Sequence, residues 1–185
     1  MKYFYGLILV LTLLSGCMSN GDHKNQVKYT FSDQNGQTFK IQSDFDTFNI
    51  RTQKSEKNDK VTLIMFLDLE SQNCKDYILN IDHLKLTFPR ASILGILIKP
   101  YSQEQISLYA KENNVDFPLL NPTDSKNIFE DFSHKINPPQ EEQNTSLEIP
   151  YFVLYNKHGK RYQTYSGIVM EEMFAYDIDA LLKMH

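Results

Sequence analysis

Hydrophobic residues follow two different periods in the middle of the chain. Residues 61–67, VTLIMFL, form a nearly continuous apolar run, which is typical of a central strand covered on both faces. From Cys74 to Pro89 the apolar residues recur every three or four positions, which predicts a helix with one buried face that ends near the proline. A second run at 92–98, SILGILI, predicts another buried strand.

An N-terminal hairpin is predicted before this strand, helix and strand. Two β-rich, roughly alternating runs in residues 29–42 flank Asn35-Gly36, a dipeptide favoured in tight hairpin turns. The polar residues 51–60 predict a surface connection from the hairpin to the first buried strand.

Two shorter helices are predicted after the second buried strand. Ser102 and Gln105 have the spacing of a capping box, and Asn113-Asn114 predicts the end of that helix. Asp124 or Ser125 is expected to cap a further turn or two of helix.

The last third of the chain predicts a loop, a hairpin and a helix. Residues 133–148 are polar, acidic and contain prolines, so they are interpreted as a loop. Strands are predicted at 151–155 and 160–165 with a tight turn at 156–159, and an apolar stripe predicts a final helix at 170–184. This element order predicts an α/β fold with both parallel and antiparallel strand pairs.

The N-terminus predicts export and attachment to a membrane. Residues 1–16 carry one lysine and an apolar stretch too short to span a bilayer, as in a signal peptide. Leu14-Ser15-Gly16-Cys17 resembles a bacterial lipobox, which implies a lipid on Cys17 and a domain on the periplasmic or extracytoplasmic side of the cell envelope. The alternative is an ordinary secretory signal that happens to contain a cysteine. Residues 17–28 are expected to form a tether, and residues 29–185 the folded domain.

Composition excludes several functional classes. The chain of 185 residues has a formal net charge of −4 with acids and bases interspersed, so no basic surface for nucleic acid is expected. The histidines have no ligand spacing, and neither a metal site nor a cofactor is predicted; they are His23, His83, His134, His158 and His185. Asn144 begins an Asn-x-Ser sequon, a candidate glycosylation site in the predicted loop.

The cysteine count is the most informative feature of the composition. The chain has two cysteines, Cys17 and Cys74. Cysteines of exported proteins are normally paired, because the compartment is oxidising. If Cys17 carries a lipid, Cys74 has no partner within the chain.

Three segments together resemble the thioredoxin fold, in particular the membrane-tethered TlpA-like or ResA-like branch. FLDLESQNC, from Phe66 to Cys74, occurs where that family has Phe-Trp-Ala and then Trp-Cys-Pro-Pro-Cys. LEIPYFVLY is similar to the segment in which the family's cis-proline faces the cysteines, and this matches Pro150. NKHGK and the later Ser166-Gly167 are similar to the family's last hairpin and to the glycine before its final helix.

The resemblance implies a site made of Ser71, Cys74, Ile149 and Pro150. Ser71 replaces the family's attacking cysteine, Cys74 matches the resolving cysteine, and Ile149 would offer backbone hydrogen bonds to an extended peptide. A serine hydroxyl neither ionises at neutral pH nor forms a disulfide, so the dithiol cycle is excluded. Other departures from the family are Glu70 in place of tryptophan and the long acidic loop.

Two functions remain open for such a site. The first is a thiol or disulfide-related role through Cys74 alone, with an envelope protein that bears a thiol or disulfide as partner. The second is a non-catalytic binding or assembly module, in which Cys74 is a small buried hydrophobe. Nearby Asp68 and Glu70 would disfavour a thiolate, or would simply be solvated acids at a strand end.

A peroxiredoxin-like peroxidase is a third, weaker alternative. Peroxiredoxins resemble this chain in having threonine or serine three residues before the reactive cysteine, as Ser71 is. The proline that peroxiredoxins have four residues before this threonine or serine is replaced here by Leu67. The arginine that would activate the thiolate is not identified by sequence, and Arg161 is one candidate.

Overall fold

The computed structural model describes residues 26–52, 59–137 and 147–184, which form an α/β fold. Its strands are β1 (Val27–Ser32), β2 (Thr38–Ser43), β3 (Phe48–Thr52), β4 (Thr62–Leu67), β5 (Ser92–Leu97), β6 (Leu119–Pro122), β7 (Tyr151–Tyr155) and β8 (Arg161–Ser166). Its helices are α1 (Gln72–Thr87), α2 (Gln103–Glu112), α3 (Ile128–Ile136) and α4 (Glu171–Lys183).

The strands form one mixed sheet in the order β3-β2-β1-β6-β5-β4-β7-β8. β4 lies between β5, to which it is parallel, and β7, to which it is antiparallel. β1 and β2 form the predicted N-terminal hairpin, and Gly36 takes the positive φ of 76° that its turn requires. The predicted combination of parallel and antiparallel pairs is confirmed.

The sheet is covered on both faces. All six residues of β4 are buried, as the continuous apolar run predicted. On one face, side chains of alternate positions pack against α1, α2 and α4. On the other face they pack against α3 and against the inner surface of the β1–β2–β3 meander. Each face of β4 therefore contributes to a separate apolar cluster.

The sheet curls so that its two edge strands meet at one end. The Phe48 N–H at the start of β3 donates to the Gly159 carbonyl in the β7–β8 turn, at 2.8 Å. Thr47 and Lys160 form an isolated antiparallel bridge beside that bond. Tyr155 stacks on Phe48 with ring centroids 5.0 Å apart. The meander thus crosses one face of the sheet from edge to edge.

The structure corrects several predicted boundaries. The segment 51–60 begins inside β3 rather than in a connection, and neither β3 nor the four-residue β6 was predicted. Helix α3 is capped by Asn127, whose Oδ1 accepts from the Phe129 N–H, rather than by Asp124 or Ser125. It continues to Ile136, so the predicted loop at 133–148 starts too early.

Other boundaries agree closely with the prediction. The capping box of α2 is confirmed, because the Ser102 Oγ accepts from the Gln105 N–H and the Gln105 side chain accepts from the Ser102 N–H. β1 begins at Val27, so the first strand includes the last two residues of the predicted tether.

The predicted signal peptide, the predicted lipidation site Cys17 and the candidate glycosylation site Asn144 lie outside the described residues. Within the described part of the chain, every helix is too short or too polar to cross a bilayer.

Substituting Gly159 should destabilise the protein strongly. Gly159 has φ +70°, and a Cβ there would lie 2.2 Å from the Phe48 carbonyl oxygen. Gly159→Ala should lower the free energy of unfolding by about 2 to 4 kcal/mol, since backbone strain and a steric clash with backbone combine. Urea denaturation followed by circular dichroism measures the change.

Gly36→Ala is the matched control. Gly36 also has a positive φ, +76°, but no atom lies within 4 Å of the added Cβ. It should cost only about 1 to 2 kcal/mol, the strain of the left-handed conformation. Equal losses in the two variants would show that the contact with Phe48 has no energetic weight.

Candidate functional site

Strand register brings the Ser71–Cys74 turn and the Ile149–Pro150 turn to one edge of the sheet. Phe66, near the end of β4, lies opposite Tyr151 at the start of β7. The turn that begins α1 follows β4 directly, and Pro150 precedes β7 directly. The predicted site residues therefore lie at one edge of the sheet although they are far apart in sequence. This edge, built from residues 68–76, Lys99 to Tyr101 and residues 148–150 and 167–168, is called the site edge below.

Ser71 is the N-cap of α1. Its backbone is extended, with φ −80° and ψ 122°, and its Oγ accepts a hydrogen bond from the Cys74 N–H at 3.4 Å. Its carbonyl accepts from the Lys75 N–H at 3.2 Å. Serine is among the preferred N-cap residues because its oxygen satisfies an N–H that has no partner within the helix. The hydroxyl at position 71 therefore has a structural role that is independent of redox chemistry.

Cys74 is a free cysteine with no exposed surface. It is part of the apolar cluster between the sheet and helices α1, α2 and α4. Burial raises the pKa of its thiol, hydrogen bonds from the Asp68 backbone and from Ser71 oppose that rise, and the Asp68 charge adds to it. Because the thiolate is the nucleophile, both burial and the raised pKa disfavour reaction at neutral pH.

The turn before β7 presents free backbone groups. The Ile149–Pro150 peptide bond is cis. Pro150 is buried, and its carbonyl accepts from the Gly167 N–H at 3.1 Å. Ile149 is half-buried and packs against both apolar clusters. Within the described residues, neither the N–H nor the carbonyl of Ile149 takes part in a hydrogen bond. Both groups are therefore open to a partner from outside the described residues, such as a bound segment.

Lys99 and Tyr101 extend the site beyond the predicted residues. The Lys99 Nζ lies 2.8 Å from the Glu70 Oε2 and 3.1 Å from the Asp68 Oδ2. Tyr101 donates its hydroxyl hydrogen to the Asp68 carboxylate. Burial alone would raise the pKa of Asp68, but hydrogen bonds from Tyr101, the Glu70 backbone and Lys99 lower it below its usual range. Asp68 is therefore a well-bonded anion rather than the solvated acid considered from sequence.

Lys99 and Tyr101 were not predicted as site residues, because their place at the site depends on the order of the strands in the sheet. Lys99 and Tyr101 follow β5, which is parallel to β4 and pairs with it directly. The ends of adjacent parallel strands meet at one edge, so polar residues just after β5 were candidates for the site.

A buried tyrosine hydroxyl lies close to Cys74. The Tyr109 side chain is 7% exposed, and its OH has no hydrogen-bond partner in the described part of the chain. Burial, together with the charges of Cys74 and Asp68, raises the pKa of Tyr109 to about 12. Tyr109 therefore contributes a neutral, buried hydroxyl to the same apolar cluster as Cys74.

Arg161 does not reach Cys74. It lies opposite Tyr155 at the far end of β7, where its guanidinium binds the Asp46 carboxylate at 2.7 Å and covers the Phe45 ring. The activating arginine required by the peroxidase alternative is therefore not Arg161.

Two surface clefts lie away from the predicted site residues. Two clefts of about 590 and about 610 Å³ share Phe39 and Pro118 in their lining, and neither is lined by Ser71, Cys74 or Pro150. In the described ranges, no group of three or more His, Cys, Asp or Glu side chains is placed to hold a metal ion.

Solved structures of thioredoxin-like proteins are similar to this chain. A thioredoxin-family thiol:disulfide interchange protein from Chlorobium tepidum aligns with TM-score 0.59 and 13% identity, over 84% of this chain and 93% of that one. A secreted disulfide oxidoreductase of Mycobacterium tuberculosis, homologous to E. coli DsbE, aligns with TM-score 0.54 and 15% identity, over 83% and 96%. The exposed lipoprotein thioredoxin of Streptococcus pneumoniae aligns with TM-score 0.55 and 14% identity, over 84% and 100%.

These similarities establish the fold. No protein-family model and no curated protein sequence matches the chain. At identities this low, a shared fold does not by itself transfer an activity. The chain therefore has the thioredoxin-like fold of thiol:disulfide interchange proteins.

Replacing the N-cap of α1 should weaken the fold measurably. Ser71→Ala removes the oxygen that accepts from the Cys74 N–H, so the free energy of unfolding should fall by about 0.5 to 1 kcal/mol. Ser71→Thr keeps a hydroxyl at the same position and should retain most of this stability. Chemical denaturation of the three proteins provides the comparison, and identical midpoints for all three would rule out a capping role.

Proposed function

We propose that this chain is a lipid-anchored, extracytoplasmic binding protein that holds an extended segment of an envelope protein at the site edge. The observation that carries this proposal is the contrast between Ile149 and Cys74. The backbone of Ile149 is open at this edge, while the sulfur of Cys74 is completely buried. The edge offers a peptide-binding surface at which the thiol of Cys74 is not accessible.

The binding mode follows from the backbone groups of Ile149. An extended segment that runs beside Ile149 can accept from its N–H and donate to its carbonyl, as an added strand does at a sheet edge. Ile168 is 88% exposed and follows Gly167, which bonds to Pro150, so it provides apolar contact next to these groups. Main-chain bonds would give affinity, and side-chain contacts would give selectivity.

Anchoring and location are supported by the sequence and by similar proteins. Leu14-Ser15-Gly16-Cys17 fits lipid attachment at Cys17. One solved structure with this fold is an exposed lipoprotein, and another is a secreted oxidoreductase. The partner is accordingly sought among proteins of the bacterial envelope.

A thiol-dependent role through Cys74 is the second candidate. It is favoured by the hydrogen bonds from the Asp68 backbone and from Ser71, which oppose the rise in the pKa of the thiol. A partner that opens the N-terminus of α1 would be needed for the sulfur to exchange with a disulfide. Ser71 cannot resolve the resulting mixed disulfide, so the bond would persist until an external thiol attacks it.

Affinity capture from envelope extracts separates the two candidates. If the binding proposal is right, the wild type and Cys74→Ser retain the same partner protein, and a reductant does not release it. The Ile168→Glu variant should no longer retain this partner. Leu108→Glu is the matched control, because Leu108 is 52% exposed on α2 and should leave capture unchanged. Mass spectrometry of the retained proteins is the measurement.

The result that supports the thiol candidate is different. Capture would then require Cys74, and dithiothreitol would release the partner. Retention that is equal in all four proteins would contradict both candidates, since it would not depend on the site edge.

Restoring the second thiol should restore redox chemistry. Positions 71 and 74 are the N-cap and the third residue of α1, the spacing at which two cysteines close a disulfide in the resembled family. Ser71→Cys should lose both free thiols on oxidation and catalyse insulin reduction by dithiothreitol, whereas the wild type should not. Ser102→Cys, at the N-cap of α2, adds a thiol with no cysteine three residues on and should stay inactive. Reduction by the wild type at a rate equal to that of Ser71→Cys would overturn the exclusion of the dithiol cycle.

A further inference from the structure

Glu148 carries a carboxylate that has no partner at the site edge. It is exposed, and in the described part of the chain no hydrogen bond or ion pair involves its side chain. It immediately precedes Ile149, whose backbone N–H and carbonyl also have no hydrogen-bond partner among the described residues. An unpaired carboxylate beside an open backbone is suited to a cation carried by the bound segment.

Gly167 lets this carboxylate lie against the backbone of the neighbouring chain segment. A Cβ at Gly167 would be 3.1 Å from both carboxylate oxygens of Glu148, which is tighter than ordinary van der Waals contact. Gly167 also has φ +66°, a conformation that favours glycine. The carboxylate of Glu148 thus lies close to Gly167, whose N–H donates to the Pro150 carbonyl.

Apolar surface adjoins the carboxylate. Ile168, next to Gly167, is 88% exposed, and Met170 is 67% exposed. Contiguous exposed apolar surface marks interaction sites, and these two side chains are only two positions apart in sequence. Tyr77 bonds to the backbone of Val169 and fixes this segment against α1.

The charge around these residues favours a cationic partner. Residues 68–76, Lys99 and Glu148 carry four carboxylates and two ammonium groups, which leaves two net negative charges at the site edge. Lys99 neutralises part of the Asp68 and Glu70 charge through its two ion pairs. Of these four carboxylates, that of Glu148 is the nearest in sequence to Ile149.

We propose that the site edge selects a segment in which a lysine or arginine neighbours an apolar residue. The cation pairs with Glu148, the apolar side chain covers Ile168, and the main chain bonds to Ile149. This inference rests on the proposed binding function and adds the chemistry by which the partner is chosen.

Chemical-shift titration with short synthetic peptides tests the selection directly. The probes are three acetylated, amidated heptapeptides of sequence Ser-Gly-X-Z-Ser-Gly-Ser, in which X-Z is Lys-Leu, Glu-Leu or Lys-Ser. They are titrated into the isotope-labelled protein, and the amide signals of Ile149, Gly167 and Ile168 report both location and affinity. The Lys-Leu peptide should bind about three- to fivefold more tightly than the Glu-Leu peptide, the ratio that an exposed ion pair supports.

Two variants identify the residue responsible. Glu148→Gln should abolish the difference between the Lys-Leu and Glu-Leu peptides. Glu112→Gln removes the same charge from an exposed position at the end of α2, away from the site edge, and should leave the difference intact.

Each remaining outcome overturns a separate claim. Equal binding of the Lys-Leu and Glu-Leu peptides at the Ile149 and Ile168 amides overturns the charge selection and leaves the binding proposal standing. Equal binding of the Lys-Leu and Lys-Ser peptides overturns the role of Ile168. If no peptide shifts these amide signals at concentrations up to millimolar, the site edge does not bind peptides. Both the binding proposal and the proposed charge selection are then wrong.

Discussion

The position of β4 between a parallel and an antiparallel neighbour is the constraint on which the site depends. Its parallel partner β5 delivers Lys99 and Tyr101 to the same edge as the start of α1. Its antiparallel partner β7 delivers Ile149 and Pro150 to that edge from the opposite chain direction. Because β4 is buried on both faces, a shift in either register would move a continuous row of apolar side chains to the wrong positions.

Much of this arrangement could be predicted from sequence, and the exceptions have physical reasons. Long apolar runs and the three- and four-residue period identified β4, α1 and β5, since burial on a whole face leaves a clear pattern. β3 and β6 were missed because β3 mixes Asn49 and Arg51 with apolar residues at an edge and β6 has four residues ending in proline. The cluster around Asp68 was missed because it depends on which strands are neighbours.

Ser71 illustrates how the same helix start can hold an oxygen or a sulfur with different chemistry. The start of a helix requires an acceptor for its free N–H groups, and a side-chain oxygen provides one. The same position in a dithiol protein places a sulfur where the helix lowers its pKa. With oxygen there, the helix keeps its cap, the fold keeps its shape, and Cys74 behaves as part of the apolar core.

The contact between Phe48 and Gly159 has a consequence for self-association. Open sheet edges can recruit strands of other molecules and seed fibrous aggregates, a risk that rises when many copies share one surface. Here the first residue of one edge strand is bonded to the turn that precedes the other, so each edge shields part of its counterpart. Curling the sheet therefore acts as protection against self-association, while the edge strands stay at the surface.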